Sequence, residues 1–200
     1  MNIFTIEYKN IPTLDNKQLD NKHKIEIDWI RSGQTQDDLR TVKMVTETTQ
    51  LLCTALNINL GKQVTKYKTA HQQHPCSKWT RASYSNWCNL LTHGMALSFE
   101  YTKRFGKIHG CHNTLLQLNQ WNLFGYNNTT LEDIFPIYDP TPVHLCIPEE
   151  YIRENDPVLS YRLFYASKPN IRYKRQQPPT WFTDMRTLPY ESSTGMLIPS

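Results

Sequence analysis

The 200-residue chain is 38% hydrophobic and 12% aromatic with a formal net charge of +4, which is enough for one sizeable core and too mild a charge to demand an anionic partner. No window approaches the ~18 consecutive apolar residues of a membrane span, and Met1-Asn-Ile-Phe-Thr-Ile-Glu lacks a basic stretch followed by an apolar one, so no membrane partner and a cytoplasmic location are expected. Five cysteines, odd in number and without a C-x-x-C pair, argue for reduced thiols rather than a disulfide framework.

The first residues, Met1 to Tyr8, alternate and read as an extended segment or one wrapped against the core. Lys9 to Gln36 is polar and charge-mixed and reads as a loop-rich insertion. A first strong helix is predicted from an Asp37/Asp38 cap to about Asn57, stopped by Asn59-Leu-Gly61. At roughly 100° per residue, one stripe of it collects Val42, Val45, Thr49, Leu52 and Leu56, and the opposite stripe collects Arg40, Lys43, Glu47 and Gln50. A single carboxylate among cations suits acid/base work or stabilisation of a developing cation, with the basic groups on phosphate. The competing reading is a solvated face with Lys43 and Glu47 paired at i,i+4.

A second helix is predicted from Ser83 or Ser85 to Phe105, ended by Gly106, with Trp87, Leu90, Leu91, Leu97, Tyr101 and Phe105 on its apolar side and Asn86, Asn89, His93, Glu100 and Arg104 on the other. Gln117 to Pro148 reads as a long loop, and Asp156 to Ser167 as a third helix with Pro157 in its first position. Lys168, Arg172, Lys174 and Arg175, interleaved with Tyr173 and followed by Trp181, form the best nucleic-acid patch by composition; a basic surface loop anchored by a buried Trp181 explains it equally well. The His109-Gly-Cys111-His112 cluster, with His71 and His74 upstream, fits no common ligand spacing, so neither metal nor cofactor is expected. His74 and Trp79 read first as packing and capping residues, and Cys53 and Cys88 as core. The fold expected is all-α, a single domain over 1–182 with three main helices and long loops, followed by a tail over 183–200.

Several segments resemble, in order, the phage pyrimidine-dimer DNA glycosylases, or ultraviolet-damage endonucleases. The resemblance runs through Asp38-Leu-Arg40-Thr-Val-Lys43-Met-Val-Thr-Glu47, His74-Pro75 with Trp79, Glu100-Tyr-Thr-Lys-Arg104-Phe-Gly-Lys107-Ile-His109, and Lys174 ahead of Pro179-Thr180-Trp181-Phe182. It implies a compact helical DNA glycosylase, with AP-lyase activity, acting on damaged or modified pyrimidines, duplex DNA being the favoured substrate, in the cytoplasm of a host cell. It further implies that the chain's α-amine, on Met1 or Asn2, attacks the sugar C1′ with Glu47 in support. Arg40, Lys43, Arg104, Lys107, Arg172, Lys174, Arg175 and Trp181 would then hold DNA. The family's small second residue is Asn2 here, and the histidine of its first helix is Arg40. The alternative class is a non-catalytic DNA-binding or host-interaction protein on the same scaffold.

Overall fold

A computed structural model describes residues 2–9 and 26–187. The protein is all-α: α1 (Trp29–Gln34), α2 (Asp38–Asn59), α3 (Pro75–Ala82), α4 (Tyr84–Phe105), α5 (His112–Phe124), α6 (Pro157–Ala166) and α7 (Thr180–Thr187), with two short 3₁₀ turns at Leu131–Ile134 and Glu149–Tyr151. Among the described residues there are isolated β-bridges but no strand, and no helix is long and apolar enough to cross a membrane.

The three predicted helices are α2, α4 and α6, and their ends follow from local chemistry. Asp37 caps α2 by accepting from the Leu39 N–H, and Gly61 takes φ +66° just beyond its end. Ser83 caps α4 through the Asn86 N–H, and Gly106 closes it at φ +64°. Asp156 accepts from the Leu159 N–H ahead of Pro157 in α6. α4 is the central helix, with α1, α2, α3 and α5 packed around it. Val45, Thr49, Leu52 and Leu56 face the core from α2, whereas Val42 is 39% exposed at the edge of the stripe. Two glycines permit the close crossings. A β-carbon on Gly33 would lie 2.9 Å from the His93 carbonyl oxygen, and one on Gly94 would lie 2.8 Å from Thr48 Cγ2.

Four helices stand where the sequence suggested loop or tail, or where no element was expected. α1 forms at the end of the presumed insertion because Asp28 caps it, while residues 10–25 of that insertion lie outside the described residues. α3 starts on His74 and Pro75. α5 occupies the beginning of the presumed 117–148 loop; it buries only Thr114, Leu115 and Leu118 and leaves Phe124 84% exposed, so its apolar stripe is too narrow to stand out. α7 takes in 183–187 of the presumed tail, and 188–200 lie outside the described residues.

The stretch from Asn2 to Lys9 belongs to no helix, and residues 3–7 of it run through the interior. Ile3, Phe4 and Ile6 are buried, the Ile6 and Glu7 N–H groups donate to Ser32 Oγ at 3.1 and 3.0 Å, and Arg162 Nε donates to the Ile6 carbonyl at 2.8 Å. Glu7 accepts from Arg162 Nη2 and from Trp181 Nε1. Unpaired backbone groups would be costly in such a place; Ser32 and Arg162 meet those of Ile6 and the Glu7 N–H, and the Asp28 N–H meets the Glu7 carbonyl.

Candidate functional site

The Arg40/Lys43/Glu47 face of α2 is only partly open to solvent, with Lys43 exposed and Arg40 and Glu47 largely covered. With Leu39 and Met44 it forms one wall of a cleft of about 230 Å³, closed by Asn2 and Phe4 from the N-terminal segment and by Lys168 just after α6. Glu47 is largely covered and takes the Lys43 ammonium at 3.2 Å, while that lysine is itself 66% exposed. Arg40 is held more firmly. Its Nη1 donates to Asp37 Oδ2 at 2.8 Å and its guanidinium lies over the Tyr165 ring at 4.9 Å. Lys168 sits over the Phe164 ring, and burial first, then the Arg40 charge, lowers its pKa. Three cations thus line the same space, Arg40 and Lys43 from α2 and Lys168 from just after α6, and a carboxylate lies one helical turn beyond Lys43. Asn2 Oδ1 is buried with no hydrogen-bond partner among the described residues. An anionic group with a hydroxyl or amine beside it would satisfy this lining.

The cleft therefore unites Asn2, Arg40, Lys43 and Glu47 of the sequence-derived set with Lys168 of the predicted basic patch, and leaves the remaining candidates elsewhere. Met1 is outside the described residues. Arg104, expected on phosphate, has a side chain only 1% exposed. It donates to Glu100 Oε1 at 2.8 Å, to the carbonyls of Gln34 and Gln36 at 2.6 Å each, and to Asp38 Oδ1 at 3.3 Å. That network clamps the α1–α2 turn to the end of α4, which takes Glu100 and Arg104 out of reach of a ligand. Trp181, expected on DNA, is buried with its indole N–H on Glu7 and its ring edge-on to Tyr165; it is the anchor of the basic loop. Lys107, Arg172, Lys174 and Arg175 are exposed. Arg175 covers the Phe105 ring and donates to the Arg104 carbonyl, and the Lys174 N–H donates to Asp38. Arg172, Lys174 and Arg175 lie beside the α1–α2 turn and its Arg104 clamp, and none of the four cations lines the cleft.

The polar side of α4 is a buried seam rather than a ligand surface. Asn86 donates to the Trp79 carbonyl and to Thr141 Oγ1. His93 lies between the Trp29 carbonyl, 3.1 Å from Nδ1, and the Gln36 amide nitrogen, 3.2 Å from Nε2. Because a carbonyl can only accept, Nδ1 carries the proton and Nε2 accepts. Burial pushes this imidazole down to about 4.

The histidines and cysteines separate into distinct roles. His74 Nδ1 caps α3 through the Cys76 N–H and Trp79 stacks on Trp29, as the packing reading anticipated. His109, Cys111 and His112 do not converge. His109 accepts from the Cys111 N–H, Cys111 Sγ meets the Tyr67 hydroxyl, and His112 meets Ser98 Oγ. Cys76 and Cys146, 70 positions apart, bring their sulfurs to 3.3 Å. The hydrogen bond between them makes Cys146 the more acidic thiol and raises Cys76, which burial raises further. His74 adjoins this pair. Its pKa is lowered by burial and by the neighbouring His71 charge, against the opposing carboxylate of Glu47.

Comparison of the chain with known protein families, with curated proteins and with solved structures finds no match.

Proposed function

We propose that the α2 cleft is the active site of a DNA N-glycosylase with AP-lyase activity, acting on damaged or modified pyrimidines. The observation that carries this reading is that Asn2 lines the same cleft as Glu47, with Arg40, Lys43 and Lys168 around them. An α-amine on Met1, or on Asn2 once the initiator is removed, has a reference pKa of ~8 and retains a neutral fraction at cytosolic pH. Its lone pair attacks the sugar C1′, the C1′–N bond breaks, and the base leaves with a proton. The ring oxygen then opens to give an iminium at C1′, and loss of a C2′ proton expels the 3′ phosphate. Glu47 stabilises the positive charge that grows on the sugar and carries the proton to and from it. Arg40, Lys43 and Lys168 hold the flanking phosphates, and the target nucleotide is turned out of the helix to reach them.

The test uses the full chain, its N-terminus verified by mass spectrometry, incubated with ultraviolet-irradiated and untreated duplex DNA under borohydride. A covalent adduct on irradiated DNA, lost in Glu47→Gln while binding persists, is the expected result. Equal, salt-sensitive binding to both DNAs with neither adduct nor abasic sites overturns it in favour of a non-catalytic DNA-binding protein.

A further inference from the structure

His74, Cys76 and Cys146 meet because two parts of the fold are pinned together. His74 and Cys76 sit at the cap and first turn of α3. Cys146 arrives on the segment that follows Thr141, and that segment is fastened to α3 and α4. Trp79 Nε1 donates to the Thr141 carbonyl at 3.2 Å, Asn86 Nδ2 donates to Thr141 Oγ1 at 2.7 Å, and Asn86 Oδ1 accepts from the Thr141 N–H at 2.9 Å. As a result, one ligand atom from each of the three residues lies within 4.8 Å of the other two.

We propose that His74, Cys76 and Cys146 form a three-ligand site for zinc or a similarly borderline-soft divalent cation, with its fourth position left to water or to an oxygen of a substrate. Two thiolates and an imidazole select such an ion over magnesium or calcium, which prefer all-oxygen shells. With Zn–S bonds of ~2.3 Å, the sulfurs of a tetrahedral site stand roughly 3.8 Å apart. Closing the shell takes two small movements: the sulfurs part by a few tenths of an ångström from 3.3 Å, and the imidazole nitrogen, within 4.8 Å of both sulfurs, comes in to the roughly 3.6 Å that Zn–N and Zn–S bonds set. Binding converts two thiols to thiolates and releases two protons to solvent, so no oxidant or reductant is involved. The cation displaces the Cys76 N–H from His74 Nδ1 or takes the other ring nitrogen. The site is independent of glycosylase chemistry, and its test does not depend on turnover.

The experiment is a titration of the full chain, stripped of metal and kept reduced, with cobalt(II), followed by displacement with zinc. One equivalent is expected to produce the thiolate-to-cobalt absorption of a two-sulfur site together with intense tetrahedral visible bands. Cys146→Ser should halve the thiolate absorption, and His74→Asn should weaken cobalt binding by more than about tenfold, with circular dichroism confirming that both variants keep their helices. Three results overturn the proposal: no such absorption from the folded, reduced protein; full absorption surviving in Cys146→Ser; or two thiols that close to a Cys76–Cys146 disulfide in the presence of zinc as readily as without it.

Discussion

Tyr165 donates its hydroxyl to Asp37 Oδ2 at 2.6 Å. The same carboxylate caps α2 and holds Arg40, so one buried side chain couples the start of a helix, the packing of α6 and the orientation of a cation in the cleft. Asp37→Asn keeps the shape but removes the charge opposite Arg40. We expect a loss of about 2–4 kcal/mol in urea unfolding and weaker DNA binding as Arg40 is released. Unchanged stability would show that the Tyr165–Asp37–Arg40 chain is dispensable.

Arg104 belongs to the fold. Arg104→Ala leaves the buried Glu100 with only the Lys103 ammonium at 3.5 Å and takes the 2.6 Å donors from the Gln34 and Gln36 carbonyls, which keep the longer bonds from Gln176 and Thr41; the loss should cost about 3 kcal/mol. Pairing Arg104→Met with Glu100→Gln should recover part of it. Recovery is read from the shift in the denaturation midpoint relative to the single variant.

Salt dependence distinguishes the cleft cations from the buried ones. Lys43→Ala and Lys168→Ala should each lower the slope of log affinity against log salt by about 0.9 on duplex DNA, because both side chains line the cleft. Trp181→Leu should leave that slope unchanged and lower stability instead, since its indole is committed to Glu7. A Trp181 variant that kept full stability and lost DNA binding would reverse this assignment.

His93 sets an acid limit. Burial holds it at about 4 while an exposed imidazole titrates near ~6.5, so between these values the unfolded chain binds the extra proton. The contribution is fully present above pH ~6.5 and is lost as pH falls toward ~4, for a total of about 3 kcal/mol. The slope of stability against pH in this window should flatten in His93→Gln. A variant with the wild-type slope would locate the titration elsewhere.

The α1–α4 crossing leaves no room for a methyl group. Gly33→Ala places a β-carbon against the His93 carbonyl and the Leu97 amide, both backbone atoms. The expected cost is about 1–3 kcal/mol, measured as a fall in melting temperature. Gly110→Ala, whose β-carbon meets nothing within 4 Å, serves as the control.

α2, α4 and α6 were legible because each carries its own cap and a wide apolar stripe: Asp37 with Gly61, Ser83 with Gly106, and Asp156 with Pro157. α1, α3 and α7 are too short for a period to establish itself, and the cap position of α5 makes no side-chain hydrogen bond. In the cleft, Arg40, Lys43 and Glu47 could be grouped because helical spacing alone puts them on one face. Lys168 arrives by tertiary packing, which local spacing does not encode. Arg104 and Trp181 show the limit of composition, which gives the charge and the ring but not the direction in which either faces. The meeting of Cys76 with Cys146 depends on Asn86 gripping Thr141, a contact with no local signature.

The buried course of residues 3–7 also bears on how the chain assembles. Arg162 bonds to Ile6 across 156 positions and Trp181 bonds to Glu7 across 174, so this segment has no complete set of partners until α6 and α7 exist. During ribosomal synthesis an apolar stretch near the start of the sequence must wait for the end of the domain before its slot closes. Long-range closure of this kind is slow, so the burial of Ile3, Phe4 and Ile6 is completed only once α6 and α7 have been made.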